Sequence, residues 1–587
     1  MKYTIKILSH DKELQAQKDD VLADKILEAG IDLSLYCNKR GLCGKCFVEI
    51  VEGDLPPLDE RESFLLNLRK FEKNFRLACL YKIQSDLALQ IPEKSLLKET
   101  FVLKSGIPTP ITLNPAVKKY YLALKKPELR SPSSLLESLE SKLQHQGHFL
   151  PLNLLKELPA ILEQNHFQVT AVIYDDQEIM ALEPGNTLNK NFGLAIDIGT
   201  TTVVVELLDL TTGKSLAAQT AMNKQIKYGS DVVSRISAST LEPKNLEGLR
   251  HSIRNTLNQM IQKLLREAHA SSDHVYEAVV AGNTAMNHFF LGLPVKTLSV
   301  APFSPVFTSL LAQSASDLGL EIHQHGKVYI VPNIKSFVGG DISAGMIALN
   351  LDSQKGNFLF IDLGTNGEIV LKKGDEFVAT STAAGPAFEG MNLSCGMLAL
   401  PGAIYKAQKK NKLAITTINH RPALGVCGTG LIDLLAIFLE EGKISPKGTI
   451  TVKSKRIPIA RTIALTQKDV REMQLAIAAI KSGIKLILKE HGLKVNDLDG
   501  IFLAGAFGNY LNILNSMKIG LLPGIDRRKV IFIGNSSLAG ARAILLSQAA
   551  RKKIETLVKK IRHFPLAANP LFQEYFIQAL EFKNYSV

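Results

Sequence analysis

The chain has 587 residues, 46% of them hydrophobic and 21% charged, a size that exceeds one domain and a composition that excludes a disordered protein. Its net charge is +13, but no basic stretch is interleaved with stacking aromatics and no nucleic-acid motif is present, so the excess reads as solvated surface or as a face for an acidic protein. No apolar run approaches the ~18 residues of a membrane span, and the opening MKYTIKIL lacks the plan of a signal peptide, so no membrane partner and a cytoplasmic location are expected.

Residues 1–92 are close to neutral, with 14 Lys/Arg against 15 Asp/Glu. Two strands are expected at Tyr3–Leu8 and Glu13–Ala16, then a helix over Val21–Ala29 ended by Gly30, and a strand over Cys46–Val51. Four of the six cysteines fall here, Cys37, Cys43, Cys46 and Cys79, spaced C-x5-C-x2-C-x32-C. In a chain without a signal peptide such clustering favours metal over disulfides. Three thiolates on one tight loop and a distant fourth suit a [2Fe–2S] cluster, which takes four Cys ligands. Gly41 and Gly44 let the loop fold closely round it. Structural zinc is the alternative, although its ligands usually come as two close pairs and Cys79 stands alone.

Residues 93–122, with the Pro- and Thr-bearing GIPTPITLNP, show no sustained period and read as a linker. A small α/β middle domain is expected over 123–190, with helices near Pro132–Leu143 and Leu152–Gln164 and strands at Gln168–Tyr174 and Glu178–Leu182.

From 191 to 587 the pattern turns to apolar strands, Gly-rich turns and amphipathic helices. A weak internal repeat organises it. GLAIDIGTTTVVVELL (193–208) and NFLFIDLGTNGEIVLK (357–372) each run strand, Asp-x-Gly-Thr, strand, which points to two similar lobes. In the first loop Gly199 permits a tight turn, Thr200, Thr201 and Thr202 offer hydroxyls and amides to phosphate oxygens, and Asp197 suits a hydrated Mg²⁺. Asp362, Gly364, Thr365, Asn366 and Gly367 form the second loop. Either loop alone could be an ordinary hairpin. Both together, followed by IFLAGAFGN (501–509), resemble the phosphate-1, phosphate-2 and adenosine motifs of the actin/sugar-kinase/Hsp70 (ASKHA) proteins. That resemblance implies ATP between two actin-like lobes, with Gly505 and Gly508 against the adenosine. No Walker A or dinucleotide-binding glycine motif competes.

Asp341, in FVGGDISAGM, is the candidate water-activating acid, and an N-cap side chain is the other reading. STAAGPAFEGM (381–391) and GVCGTGLID (425–433) either line a cleft or pack at helix starts. Cys395 and Cys427 read as small buried apolar residues, and His288 as a packing or hydrogen-bonding group.

The Cys loop, long gap and strand–strand–helix order resemble adrenodoxin-type ferredoxins, which implies a β-grasp fold and a one-electron centre. The whole combination resembles the ATP-dependent reductive activators of corrinoid-dependent proteins. The likeness runs through YGSDVVSRI (228–236), VAGNTAMNHFFLGLPV (280–295), FVGGDISAG (337–345), STAAGPAFEG (381–390), LTQKDVREMQLA (465–476), AGAFGNYL (504–511) and IGLLP (519–523). It implies one-electron reduction of Co(II) to Co(I) in a corrinoid protein or cobalamin-dependent methyltransferase, with an electron donor still to be identified and a possible homodimer. Two other classes compete. One is an iron–sulfur ATPase like the activators of 2-hydroxyacyl-CoA dehydratases, whose cluster is a [4Fe–4S] shared by a dimer. The other is a small-molecule kinase with a ferredoxin appendage.

Overall fold

A computed structural model of the chain describes residues 2–29, 31, 33, 46–58, 62, 63, 66, 74–92, 95, 111–128, 134–143, 150–229, 231–390, 393–397, 399, 401–409, 411–460, 463–505 and 510–585. Period-two patterning in Lys2–Ile7 sends Ile5 and Ile7 to one face, and both are fully buried. This strand pairs antiparallel with Lys12–Gln17 and parallel with Leu87–Gln90. Phe47–Glu52 and Phe75–Leu77 complete a five-stranded mixed sheet, and Leu22 and Ile26 of helix Leu22–Glu28 share its core. That arrangement is the expected β-grasp.

The next unit is a three-stranded antiparallel sheet of Val117–Ala123, Gln168–Tyr174 and Glu178–Pro184. Helices Leu135–Leu143 and Leu152–Gln164 cover one face, where Leu139, Leu158 and Leu162 meet Val169, Ala171 and Ile173. The other face places Val117, Val172 and Met180 in one core with Ala195, Leu208 and Tyr276. The expected linker 93–122 is corrected at its end, because Val117–Ala123 is a paired strand.

Two six-stranded sheets follow, built to one plan. In the first lobe the order runs Ser215–Met222, Thr202–Asp209, Phe192–Ile198, Val275–Gly282, Lys327–Ile330, Leu311–Ser314. In the second it runs Glu376–Thr382, Gly367–Lys373, Asn357–Leu363, Gly500–Gly505, Val530–Gly534, with Ile561–His563 outside the first of these. Each lobe has three antiparallel strands in sequence, then a fourth parallel to the first and a fifth parallel to the fourth. This repeat is the actin-like, RNase H-like architecture of ASKHA domains.

Helices Gly340–Ala348 and Ser536–Leu546, each following the fifth strand of a lobe, pack against each other at the centre. Their approach is so close that a Cβ on Gly540 would meet the Ala344 carbonyl. Among the described residues no helix is long and apolar enough to cross a membrane.

Candidate functional site

The turns that close the first hairpin of each lobe face each other across a cavity of about 160 Å³. Asp197, Gly199, Thr200, Thr201 and Thr202 line it from one side, and Asp362, Gly364, Thr365 and Asn366 from the other. Gly505 and Asp341 also line it, so one cavity gathers nearly all the residues expected of a nucleotide site. Gly367 starts the strand after the second loop, and Gly508 lies outside the described residues.

Backbone bonds fix both loops. Gly199 N–H donates to Thr202 O at 3.0 Å, and Gly364 N–H to Asn366 O at 2.9 Å. Asn223 braces the first loop from behind, its Nδ2 donating to Gly199 O at 2.8 Å and its backbone N–H to Thr201 O at 2.8 Å. Arg235, fully buried, donates from Nη2 to Thr200 O at 2.7 Å and from Nε to Gly229 O at 2.9 Å. Burial lowers its guanidinium to about 10, against the pull of Asp231 and Glu389. Gly505 has φ +113, and a Cβ there would meet Leu363 O, so the adenosine motif needs glycine at this point.

Five carboxylates line the cavity, and four of them, Asp197, Asp341, Asp362 and Glu368, have unequal support. Asp197 accepts from Asn535 Nδ2 at 2.8 Å and Ser537 Oγ at 2.7 Å, yet burial still raises it. Asp362 is pushed up to about 8 by burial and then by the charges of Asp341 and Asp197. Glu368 sits directly across the hairpin from Asp362 and is raised well above the usual carboxylate range, by burial and then by Asp341 and Asp362. Asp341 rises to about 7, again chiefly through burial. Such a cluster cannot ionise fully without a cation. Among the described residues no three His, Cys, Asp or Glu side chains are placed to hold a metal ion directly.

The N-cap reading of Asp341 is corrected. Gly339 is the cap residue of helix Gly340–Ala348, and Asp341 stands in the first turn, its Oδ1 accepting from Ile342 N–H at 2.8 Å. Its carboxylate therefore belongs to the cavity.

Several cleft residues were not legible as such. Asn535 is the N-cap of helix Ser536–Leu546, accepting from Leu538 N–H while its amide holds Asp197. Asn283, another cavity residue, caps helix Thr284–Leu291. Both stand in the same strand–Gly–Asn–hydroxyl–helix step, Gly282-Asn283-Thr284 and Gly534-Asn535-Ser536, a signal the sequence did carry. Glu389, from STAAGPAFEGM, enters the cleft, whereas GVCGTGLID starts the buried helix Gly428–Glu440. His288 accepts Val306 N–H at 2.9 Å, approaches Thr284 O at 2.7 Å and stacks on Phe307. Cys395 and Cys427 are buried, and burial pushes the Cys395 thiol up to about 12, so both are packing residues.

In the β-grasp unit Cys46 directly precedes strand Phe47–Glu52 and Cys79 follows Phe75–Leu77. These strands pair, and Ala78 N–H donates to Cys46 O at 2.9 Å, which brings the two cysteines to one end of the sheet. Both are buried, at 1% and 6% exposed. Cys37 and Cys43 lie outside the described residues. Two sequestered thiols at one sheet end fit a cluster ligated by four cysteines.

Known families match along most of the chain. The chain matches the family descriptions "2Fe-2S iron-sulfur cluster binding domain" over residues 5–84, "RACo linker region" over 108–189, "RACo middle region" over 192–354 and "C-terminal domain of RACo the ASKHA domain" over 356–587. It is 31% identical over 597 residues to the corrinoid activation enzyme RamQ of Eubacterium limosum, covering 97% of each chain. It is 27% identical over 427 residues to the [Co(II) methylated amine-specific corrinoid protein] reductase of Methanosarcina barkeri, covering 67% of this chain and 77% of that one. A solved structure, a reductive activator for corrinoid, iron-sulfur protein, superposes with a TM-score of 0.77 at 33% identity, covering 99% of this chain and 98% of that one.

Proposed function

This chain belongs to the family of reductive activators of corrinoid proteins, and on that premise we propose that it spends ATP to reduce the Co(II) of a partner corrinoid to Co(I). The observation that carries the reading is the presence on one chain of a buried cysteine pair in a β-grasp unit and an acid-lined cleft between twin lobes. Cys37, Cys43, Cys46 and Cys79 would hold a [2Fe–2S] cluster. When bound, it supplies one electron at low potential.

In the cleft, Thr200, Thr201, Thr202, Thr365 and Asn366 would bind phosphate oxygens, with Gly199 and Gly364 letting the backbone approach. Asp197 and Asp362 would orient the water shell of Mg²⁺, and Asn535 and Ser537 fix the angle of Asp197. Gly505 and Gly508 would face the adenosine. Asp341, beside the phosphate loops and with a raised pKa, is the candidate to accept the proton of the attacking water. Units at 1–92 and 191–587 would divide the work with a middle unit that begins at strand Val117–Ala123 and ends near 190, joined to the first by a linker that starts at 93. We further read the partner as a corrinoid protein or cobalamin-dependent methyltransferase, served by an electron donor yet to be identified, and the location as cytoplasmic.

The test separates the two modules. Asp362→Ala should leave two irons per chain in place, because the β-grasp unit has its own core, and should remove ATP hydrolysis that the corrinoid partner stimulates. Wild-type hydrolysis by both Asp362→Ala and Asp197→Ala would overturn the assignment of the cleft.

A further inference from the structure

One more buried carboxylate lies in the cleft, and its partners differ in kind from those of the acid cluster. Glu389 ends the short helix Pro386–Glu389, which packs against helices Gly428–Glu440 and Gln467–Glu490 of the second lobe. Its Oε1 accepts from Thr365 Oγ1 at 2.9 Å, and its Oε2 accepts from Thr201 Oγ1. These hydroxyls are 3.3 Å apart and come from the two facing loops. Glu389 therefore ties lobe to lobe at the point where the loops meet, and the buried charge of Arg235 lies close enough to act on it.

A carboxylate and a phosphate oxygen are acceptors of one kind, and both draw short bonds from hydroxyl donors. On the reading that puts Gly505 beside the adenosine, a polyphosphate would run from there toward this meeting point, and its last phosphate would be the one to reach both hydroxyls. We propose that Glu389 competes with the terminal phosphate of a nucleoside triphosphate for the hydroxyls of Thr201 and Thr365, and so sets the preference between triphosphate and diphosphate. This rests on reading the cleft as an ATP site. A triphosphate must move the carboxylate aside, while a diphosphate leaves it bonded.

The test is calorimetry on the iron-loaded full chain, with Mg²⁺ and either ADP or the β,γ-imido analogue of ATP. Glu389→Gln keeps the shape but exchanges charge-assisted bonds for neutral ones. It should tighten the triphosphate analogue about tenfold relative to ADP, the scale of losing the charged character of such bonds, and leave ADP binding unchanged. Glu389→Asp, charged but too short to span both hydroxyls, should shift the preference the same way by less. Thermal melts and the visible spectrum check folding; should Glu389→Gln not fold, the Asp variant decides by the same direction. An unchanged or reversed preference overturns the proposal, as does lost hydrolysis with both affinities intact, which would make Glu389 a water-activating group. Failure of the wild-type chain to bind either nucleotide would instead defeat the reading of the cleft.

Discussion

Asp197 and Asp362 occupy matching turns in the two lobes, yet their neighbours give them different tasks. Asp197 has a donor on each oxygen and, across its hairpin, Val204. Asp362 has Glu368 at the matching place, and both are raised first by burial and then by neighbouring carboxylates, Asp341 and Asp197 for Asp362 and Asp341 and Asp362 for Glu368. The second lobe thus concentrates the need for a cation. These two acids and the threonines beside them were legible because each loop is a local run of sequence. Asn535 carried only the repeated Gly-Asn-hydroxyl signal and Glu389 stood in a motif read as cleft-lining or packing, while Ser537 and Arg235 were not legible, because only the fold brings them to loops far away in the chain. His323 gives a residue-scale prediction at the seam between the middle unit and the first lobe. Its ring lies 4.3 Å from that of Tyr276 and 5.5 Å from His325, and burial lowers it to about 4. An unfolded His titrates near about 6.5, so between these values the unfolded chain binds the extra proton and stability falls as pH falls. His323→Phe keeps the ring and removes the titration. Urea melts at pH 7 and pH 5 should show a smaller loss for this variant, and equal losses would contradict the assignment.

At the scale of elements, legibility followed patterning. Helix Leu152–Gln164 and strand Gln168–Tyr174 stand where periodicity placed them, because each has a continuous buried stripe or face. Strand Val117–Ala123 escaped, because VKKYYLA buries only Val117 and Leu122 and shows no alternation. Its identity comes from its partner, Gln168–Tyr174, and not from its own side chains. The pairing of helices Gly340–Ala348 and Ser536–Leu546 was equally silent in the sequence, because it rests on a close approach at Gly540. A side chain there must push the helices apart. Gly540→Val should cost about 1–3 kcal/mol or more, as overpacking of a filled core does. It should also weaken ATP binding, since Asp341 rides on one helix and Asn535 and Ser537 begin the other. The iron content should be unchanged, because the β-grasp core is separate. A variant with wild-type melting and ATP affinity would show that this contact does not position the cleft.

For the whole molecule the question is why a reductase of this kind needs ATP. Two-iron centres of the plant ferredoxin type sit near about −400 mV, and the family resemblance places the Co(II)/Co(I) couple of corrinoids lower. Each ~59 mV of a one-electron gap costs about 1.4 kcal/mol. Nucleotide can offset that cost only if some state of the complex holds Co(II) and Co(I) differently. On the proposed reading the twin lobes would supply such a device by closing together on one nucleotide bound in the cavity they share. In the closed state the ATPase lobes would grip the corrinoid partner so that Co(II) loses a stabilising axial ligand, which raises the cobalt potential. The middle sheet shares one apolar core with residues of both lobes, Ala195 and Leu208 from the first and Phe360 and Phe502 from the second. The most direct test mixes pre-reduced protein, a Co(II) corrinoid protein and Mg–ATP, and follows Co(I) by its absorbance. Co(I) should form with wild-type protein and ATP, and should fail without nucleotide, with Asp362→Ala, or with Cys43→Ser. A full yield of Co(I) without nucleotide, from a physiological donor, would contradict the coupling.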